Sequence, residues 1–387
     1  MRGVLVHGTL AALGLLWAYL TWTREPEADA GARDGAVTVL ECDADALQRF
    51  GVRTRTRRVE LRRDPEAEDG PVHWVTVERL PETGTGTGTE SATGTETESE
   101  SESESESESE SESESESESE SDSDSKPEPP VTFLADEDKL ASAIARLSPL
   151  RARRELGAIP DGRREAFGLA DPEAELFVEC GDDRLELEIG ARTYGSGHRY
   201  ARDPQSDRIY LIDGRVFMDL QSARFKFFQS NLDDFGLDEV DAARIEAPDG
   251  TRRLLHEGRK RPDQARWVDA ADPGRRNRLF DNFWQRFERL RVRSYLDAGQ
   301  EPGDDLLVAH APPRPVLRID YLTEGKPRGW VEIVVVDLED SDRSAYYARS
   351  DTTRRWVALF DSVAAQVAGD VPLLVGAEEP APAPAPE

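Results

Sequence analysis

Leu150-Arg151-Ala152-Arg153-Arg154-Glu155-Leu156 returns later in the chain as Leu290-Arg291-Val292-Arg293-Ser294-Tyr295-Leu296. Tyr200-Ala201-Arg202 returns in the same order as Tyr347-Ala348-Arg349. Segments that repeat in a constant order are typical of a chain that contains two copies of one structural unit. Strand-like and helix-like runs alternate in each copy, so the sequence predicts an α+β fold of two tandem, similar units, each a mixed sheet with helices.

The patterns around the repeats predict where a strand and a helix follow each other in each unit. Alternating apolar and polar residues from Val72 to Val77 are typical of a half-buried strand. An amphipathic helix is predicted from Asp136 to Leu156, and its counterpart from Arg275 to Leu296. We expect Trp74 and Trp267 to take equivalent core positions before these helices.

A long acidic tract, residues 82–130, interrupts the first unit. From Glu96 to Asp124 every second residue is acidic; this run holds 15 carboxylates, and the formal net charge of −30 falls to −15 without it. A helix or a strand would stack like charges, with no apolar area to offset the cost of ordering, so the tract is predicted to be disordered. The offset between the copies falls by about 50 residues here, as an insertion into one copy would produce. The remaining acidic charge disfavours nucleic acid and anionic membrane surfaces as partners.

The first 24 residues predict a transmembrane helix. Residues Gly3 to Thr23 have no formal charge apart from a protonated His7, and at about 1.5 Å per residue a helix of this length spans the hydrocarbon core. Trp17, Tyr19 and Trp22 cluster toward one end, as aromatic residues do at a membrane interface. We expect residues 3–23 to contact the lipid bilayer, with the N-terminus in the cytoplasm and the rest of the chain outside.

A cleaved signal peptide is the alternative interpretation of this segment. Its apolar core would be only about 7–15 residues long, with a cleavage site of small residues after it. The present stretch is longer and runs through Trp17 to Trp22 without a good cleavage site, which favours an uncleaved anchor.

The predicted organisation has five parts. Residues 1–24 form the anchor and residues 25–36 a tether. The first unit covers residues 37–234 and the second covers residues 235–375. Residues 376–387, rich in proline and alanine, form a disordered tail.

The chain has two cysteines, Cys42 and Cys180. Outside the cytoplasm they could form a disulfide, because both are expected at strand ends of the first unit; two separate, half-buried thiols are the alternative. Two cysteines and five scattered histidines give no metal-ligand spacing, and no phosphate-binding loop or dinucleotide fingerprint occurs. We therefore predict no cofactor, no metal site and no catalytic residue.

Several short motifs resemble a known family. They are Phe167-Gly168-Leu169-Ala170-Asp171-Pro172, Glu188-Ile189-Gly190, Tyr200-Ala201-Arg202 and Ile209-Tyr210-Leu211. Together with the strand at Trp74 and the predicted anchor, they resemble domain of unknown function 4340. The resemblance implies a membrane-anchored envelope protein with an accessory role, often encoded beside gliding-motility-type ABC transporter components. It supplies no catalytic residues.

Four residues at matching places of the repeat are the interaction candidates: Tyr200 and Arg202 in the first unit, and Tyr347 and Arg349 in the second. Each pair could bind an anion or a peptide. The alternative is that the tyrosine packs in the core and the arginine pairs with a carboxylate on the neighbouring strand, which is an ordinary way to stabilise a sheet.

A serine and a histidine also come close together in Gly195-Ser196-Gly197-His198. A nucleophilic serine of the elbow type requires a turn from a strand into a helix. This segment lies between two predicted strands, where Gly-Ser-Gly is typical of a hairpin turn, so the sequence favours a structural role.

The predicted function is that of a non-enzymatic accessory or scaffold protein at the cytoplasmic (inner) membrane, with the bulk of the chain extracytoplasmic. We expect another envelope protein as the partner, and a transporter complex is the partner class that the resemblance implies. The alternative is an extracytoplasmic hydrolase or small-ligand-binding enzyme. That function would need convergent polar residues in one pocket, a set that the sequence does not show.

Overall fold

A computed structural model describes residues 36–65, 71–81, 129–261, 263–339 and 342–376. The predicted anchor, the tether up to residue 35, the acidic tract from 82 to 128 and the tail from 377 lie outside these ranges. Among the helices of the described ranges, none combines the length and the apolar character needed to cross a membrane.

Ten strands of the described residues form the first sheet. In chain order they are β1 (Val37–Leu40), β2 (Leu47–Thr54), β3 (Arg57–Asp64), β4 (Val72–Arg79), β5 (Val131–Leu134), β6 (Leu150–Gly157), β7 (Ala174–Cys180), β8 (Asp183–Arg192), β9 (His198–Arg202) and β10 (Ile209–Asp213). They lie side by side in the order β1-β6-β10-β9-β8-β7-β2-β3-β4-β5. Burial alternates along β7, where Leu176 and Val178 are buried and Glu175 is exposed, so one face of the sheet contacts the core.

Nine described strands form the second sheet. They are β11 (Ala242–Ala247), β12 (Gly250–Glu257), β13 (Arg266–Asp269), β14 (Asp272–Arg276), β15 (Val292–Tyr295), β16 (Arg314–Thr323), β17 (Lys326–Asp337), β18 (Ser344–Ser350) and β19 (Val357–Leu359). Their order is β14-β13-β12-β11-β16-β17-β18-β19-β15.

Five α-helices of the described residues pack with these sheets. They are α1 (Glu137–Leu147), α2 (Gly214–Gln221), α3 (Ala223–Lys226), α4 (Arg278–Phe287) and α5 (Asp361–Gly376). Side-chain caps start three of them: Asp136 accepts from the Lys139 amide at 3.2 Å, Asp213 from the Arg215 amide at 2.9 Å, and Asn277 from the Leu279 amide at 2.9 Å. Each cap satisfies an amide that has no partner within its helix.

The two sheets have the same strand order. Counted from β5, the first sheet runs β5-β4-β3-β2-β7-β8-β9-β10-β6; counted from β14, the second runs β14-β13-β12-β11-β16-β17-β18-β19-β15. The helices also match, because α1 and α2 follow β5 and β10 as α4 and α5 follow β14 and β19. Apart from β1 and the short α3, the described chain therefore contains one topology twice.

The same ion pair joins the two main helices in each copy. In the first copy Arg146 of α1 donates to Asp219 of α2 at 3.1 Å. In the second copy Arg286 of α4 donates to Asp370 of α5. The arginine stands in the last turn of its helix both times, which is a favourable position for a cation.

The predicted α+β fold class is wrong. The sheets are antiparallel rather than mixed, and the described residues are mostly β, with 46% strand against 21% helix. The N-terminal transmembrane helix of that prediction lies outside the described residues. Much of the error lies at residues 150–156 and 290–296, which were expected at helix ends and instead lie at β6 and β15.

Pro149 gives a physical reason for the strand at β6. Proline cannot continue a helix because it lacks the amide proton and its ring clashes with the preceding turn. The next residues alternate in burial, with Leu150 and Ala152 buried and Arg151 exposed, which is the pattern of a strand. The helix α1 therefore ends at Leu147, well before Leu156.

The cysteines form a disulfide. Cys42 and Cys180 are bonded, with their Cα atoms 5.9 Å apart and a sequence separation of 138. The bond connects the segment before β2 to the end of β7, and these two strands are neighbours in the first sheet. Of the two interpretations that the sequence left open, the paired one is present.

The described chain divides into two compact units. The first comprises residues 36–52, 60–65, 71–75 and 134–231. The second comprises residues 53–59, 76–81, 129–133 and the described residues from 232 to 376.

Candidate functional site

A cleft of about 650 Å³ lies within the second unit. Three parts of that unit line the cleft: the turn at residues 236–238, the hairpin of β12 and β13, and the helix α4 with the residues just before it. We call this site the cleft.

Three stacked aromatic rings contribute to the wall of the cleft. His256 of β12 stacks on Trp267 of β13, with ring centroids 4.4 Å apart and an interplanar angle of 10°. Trp267 stacks in turn on Trp284 of α4, at 4.4 Å and 22°. His256 and Trp267 are direct cross-strand partners, so the register of the hairpin produces the first stack. Trp284 is buried, and its Nε1 has no hydrogen-bond partner among the described residues.

Asp281 determines how α4 meets β13. Its Oδ1 accepts a hydrogen bond from the Trp267 amide at 3.0 Å, and its Oδ2 lies 3.6 Å from Nη2 of Arg276. Because Asp281 and Trp284 are three residues apart, they lie on one side of the helix. The contact at Asp281 therefore brings the Trp284 ring beside Trp267.

His256 ties the turn to the hairpin. Its Nδ1 lies 3.0 Å from the Leu237 carbonyl and 3.2 Å from the Val240 carbonyl. Carbonyl oxygens only accept, so Nδ1 carries the proton, and Nε2 of the neutral ring keeps its lone pair. Burial lowers the pKa of His256, while the two carbonyl contacts act in the opposite direction. The ring is therefore neutral at neutral pH and holds residues 237–240 against β12.

The arginines that line the cleft are Arg259, Arg266, Arg276 and Arg278. Arg266 pairs with Glu257 at 2.7 Å, and Arg276 faces Asp281. Arg278, the first residue of α4, is exposed and makes no hydrogen bond or ion pair with its side chain in the part of the chain that the structure describes. It is the cation of this cleft that a ligand could pair with at least cost.

In the first unit, the predicted interaction residues are engaged within the sheet. Arg202 donates from Nε to Glu188 of β8 at 2.8 Å and from Nη1 to Asp207 at 3.1 Å. Burial lowers the pKa of Arg202, and the hydrogen bonds to Glu188 and Asp207 raise it. The net effect is a raised pKa. The Tyr200 ring packs edge-on against Phe167, with centroids 4.6 Å apart.

The corresponding residues of the second unit are engaged in a similar way. Arg349 donates to Glu332 of β17 at 3.2 Å and lies over the Trp356 ring at 4.7 Å. Tyr347 is buried, and its hydroxyl donates to Asp305 at 2.6 Å. The four candidates thus lie in β9 and β18, two equivalent strands of different sheets, and none of them lines the cleft. Their role in interaction stays a prediction.

The serine and histidine of the glycine-rich segment do contact each other. Nδ1 of His198 lies 3.1 Å from Oγ of Ser196, and Thr193 approaches the same oxygen at 2.5 Å. Thr193 and Ser196 belong to the turn between β8 and β9, where Gly195 has a φ of 71°, and His198 is the first residue of β9. The geometry is that of a hairpin turn, not of a turn from a strand into a helix.

The alignment of Trp74 with Trp267 is wrong by one residue. The Trp267 amide donates to Asp281 of α4, and in the first copy the His73 amide donates to Glu137 of α1, at 2.8 Å. His73 and Trp267 are both buried, whereas Trp74 is half-buried. Side chains alternate between the faces of a strand, so the equivalent of Trp267 is His73 and Trp74 lies on the opposite face.

Sequence reasoning singled out Trp267 and Trp284 only as core residues, and it missed His256 and Arg278. A local signal for Arg278 exists, since it closes the run Arg275-Arg276-Asn277-Arg278 in front of an amphipathic helix. No local signal identifies His256, because its partners Leu237 and Val240 belong to a different segment.

The fold and the cleft define a duplicated antiparallel β protein with a cleft in its second copy. A family model described as Domain of unknown function (DUF4340) matches residues 128–310, which confirms the resemblance seen in the sequence. The match contains α1, the strands from β6 to β15 and the residues of the cleft. No curated protein and no solved structure matches the chain.

Proposed function

We propose that this protein is a non-enzymatic accessory or scaffold protein of the cell envelope that binds another envelope protein through the cleft. The observation that carries the proposal is that Arg278, which is exposed and has no side-chain partner among the described residues, lines the cleft with the ring stack that includes Trp267. Aromatic rings offer a large contact area at a low entropic cost, and an arginine pairs well with carboxylates.

The chemistry of the cleft fits a peptide segment with one acidic side chain next to an apolar one. Asn282 and Gln285 are exposed on the cleft side of α4, and their amides can both donate to and accept from a peptide backbone. Asp238 and Glu288 line the same cleft, so a polyanion would be repelled. A single carboxylate at Arg278 avoids that repulsion.

The disulfide supports a location outside the cytoplasm. Bonds such as Cys42–Cys180 form and persist in oxidising compartments and are rare in the cytosol. Within the envelope, the family resemblance implies a transporter complex as the partner class.

Crosslinking followed by affinity purification of the full chain tests the proposal. We expect one envelope protein to be recovered reproducibly with the wild-type protein. Arg278→Glu should reduce its recovery at least tenfold, because the variant places a carboxylate against the acidic group of the partner. Arg289→Glu is the matched control, since the substitution makes the same charge change. Arg289 is exposed and does not line the cleft.

Two results would contradict the proposal. One is recovery of the protein alone from crosslinked cells. The other is an equal loss of the partner with Arg278→Glu and with Arg289→Glu, because that would indicate a general effect of charge and not a contact in the cleft.

A further inference from the structure

A short entry segment, residues 232–235, leads into the turn that lines the cleft. Ser350 donates from Oγ to the Leu232 carbonyl at 2.6 Å, and the Tyr321 hydroxyl donates to Oδ2 of Asp233 at 3.1 Å. Ser350 and Tyr321 are both buried. The entry segment is therefore fastened to β16 and β18 by two hydrogen bonds whose donors are shielded from water.

The Asp233 carboxyl lies among like charges. Burial raises its pKa to about 7, and the carboxylates of Asp234 and Asp351 add to the rise. The hydrogen bond from Tyr321 and the guanidinium of Arg328 oppose it. Asp234 acts on Asp233 from the entry segment itself and Asp351 from the end of β18. Tyr321 acts from β16 and Arg328 from β17.

The next side chain of the entry segment is clamped. The Phe235 ring packs edge-on against Tyr321, with centroids 5.1 Å apart, and the Arg328 guanidinium lies 4.5 Å from its centroid. A Cβ at Gly329 would lie only 3.1 Å from the Phe235 ring, so the glycine leaves room for the ring. Any displacement of the entry segment must therefore disturb this packing.

The turn that forms the wall of the cleft comes directly after the entry segment in sequence. The amides of Glu239 and Val240 donate to the carbonyls of Gly236 and Leu237, at 3.0 and 3.1 Å. Arg328 also lies 3.5 Å from the Glu239 carboxylate. The residues 236–240 thus form one tight turn whose position depends on the entry segment on one side and on His256 on the other.

We propose that Asp233 is a proton-sensitive anchor that sets the position of the cleft wall, residues 236–238, and so regulates binding in the cleft. The regulatory part rests on the proposed function. With Asp233 protonated, no repulsion from Asp234 and Asp351 acts on it, and the wall is held. With Asp233 ionised, a half-buried charge faces two carboxylates, and the entry segment is released more often.

Hydrogen exchange of the amides at residues 237–240, measured on the full chain without a partner, tests the anchor. Rates are corrected for the intrinsic pH dependence of amide exchange. Between pH 6 and pH 8 we expect the protection of these amides to fall about tenfold. This is the change in the equilibrium between the anchored and released states for a carboxyl whose pKa is near 7 in the anchored state and near 4 in the released state.

Asp233→Asn should abolish this step, because the amide keeps the oxygen that accepts from Tyr321 and cannot ionise. Asp351→Asn should move the midpoint of the step to lower pH, because the loss of one like charge lowers the pKa of Asp233. Asp234→Asn should move it in the same direction, because the Asp234 carboxylate also raises the pKa of Asp233. A step of equal size in Asp233→Asn would overturn the anchor.

A partner experiment separates the two proposals. Suppose that exchange shows the step, and that recovery of the crosslinked partner falls between pH 6 and pH 8 for the wild type but not for Asp233→Asn. The anchor and the regulation are then both supported. If exchange shows the step and recovery stays constant, the regulation is overturned while the binding role stands. Absence of the step overturns the anchor and leaves the binding role untouched.

Discussion

Arg202 and Arg349 show what a repeat can indicate at the scale of single residues. Their matching positions in the sequence correspond to matching contacts, because Arg202 pairs with Glu188 and Arg349 with Glu332, each on the preceding strand of its sheet. The register places each pair directly opposite, so the contacts follow from strand pairing. The aromatic neighbour Trp356 of Arg349 could not be inferred from the repeat.

Asp233 gives a prediction at the same scale, on stability. Its pKa rises from 3.8 to about 7 on folding, so the folded state binds the proton more tightly than the unfolded state. The stabilisation from this proton is complete below about pH 4 and is lost as the pH rises through 7. We expect the free energy of unfolding to fall by up to about 4 kcal/mol from this group between pH 4 and pH 8.

Urea unfolding of the wild type and of Asp233→Asn across that range checks the prediction. The difference between the two proteins isolates Asp233 from His256, whose lowered pKa acts in the opposite direction, reducing stability as the pH falls. Parallel pH profiles for the two proteins would show that Asp233 does not carry the effect.

At the scale of elements, the sequence patterns predicted the positions of ordered segments better than they predicted whether a segment is a helix or a strand. The apolar stripe of α1 is present, with Leu140 and Leu147 buried, but the helix ends at Leu147, before Pro149, and the residues after the proline form β6. A stripe with a period of 3.6 and an alternation with a period of 2 can overlap for several residues, and only the proline separates them here.

The disulfide gives a prediction at this scale. It closes a loop of 138 residues in sequence, so its loss should lower the free energy of unfolding by about 2–4 kcal/mol, chiefly by enlarging the unfolded ensemble. Cys42→Ser, Cys180→Ser and the double variant should be destabilised equally, because each lacks the same bond. Denaturant titrations compare them. A double variant clearly less stable than either single variant would mean that packing of the thiols, rather than the bond, carries the stabilisation.

At the scale of the whole molecule, the common strand order explains why one connection tolerates a long insertion. In the second sheet β13 passes to β14 through two residues, Ala270 and Ala271. The equivalent connection, between β4 and β5, contains the acidic tract. Since the strands it joins are neighbours in the sheet, a short turn could join them as well.

Replacing residues 82–128 with a short glycine-containing turn should therefore leave the melting temperature unchanged or slightly higher. A shorter connection costs less entropy to close, by about 2 kcal/mol at most on a logarithmic dependence on loop length. Calorimetry of the variant and the wild type measures the difference. A broad transition or a melting temperature lowered by more than a few degrees would show that the tract contributes to the fold.

The sequence by itself determined that the chain carries a repeat, that one copy is interrupted, and that residues 128–310 resemble a known family, because repeated motifs and composition are local properties. Only the tertiary structure decided that the sheets are antiparallel, that Cys42 and Cys180 are bonded, and that His73 is the equivalent of Trp267. It also decided the cleft, where His256 meets carbonyls of another segment and Asp233 meets Tyr321. These features depend on strand register and on contacts between residues far apart in sequence, which no local pattern specifies.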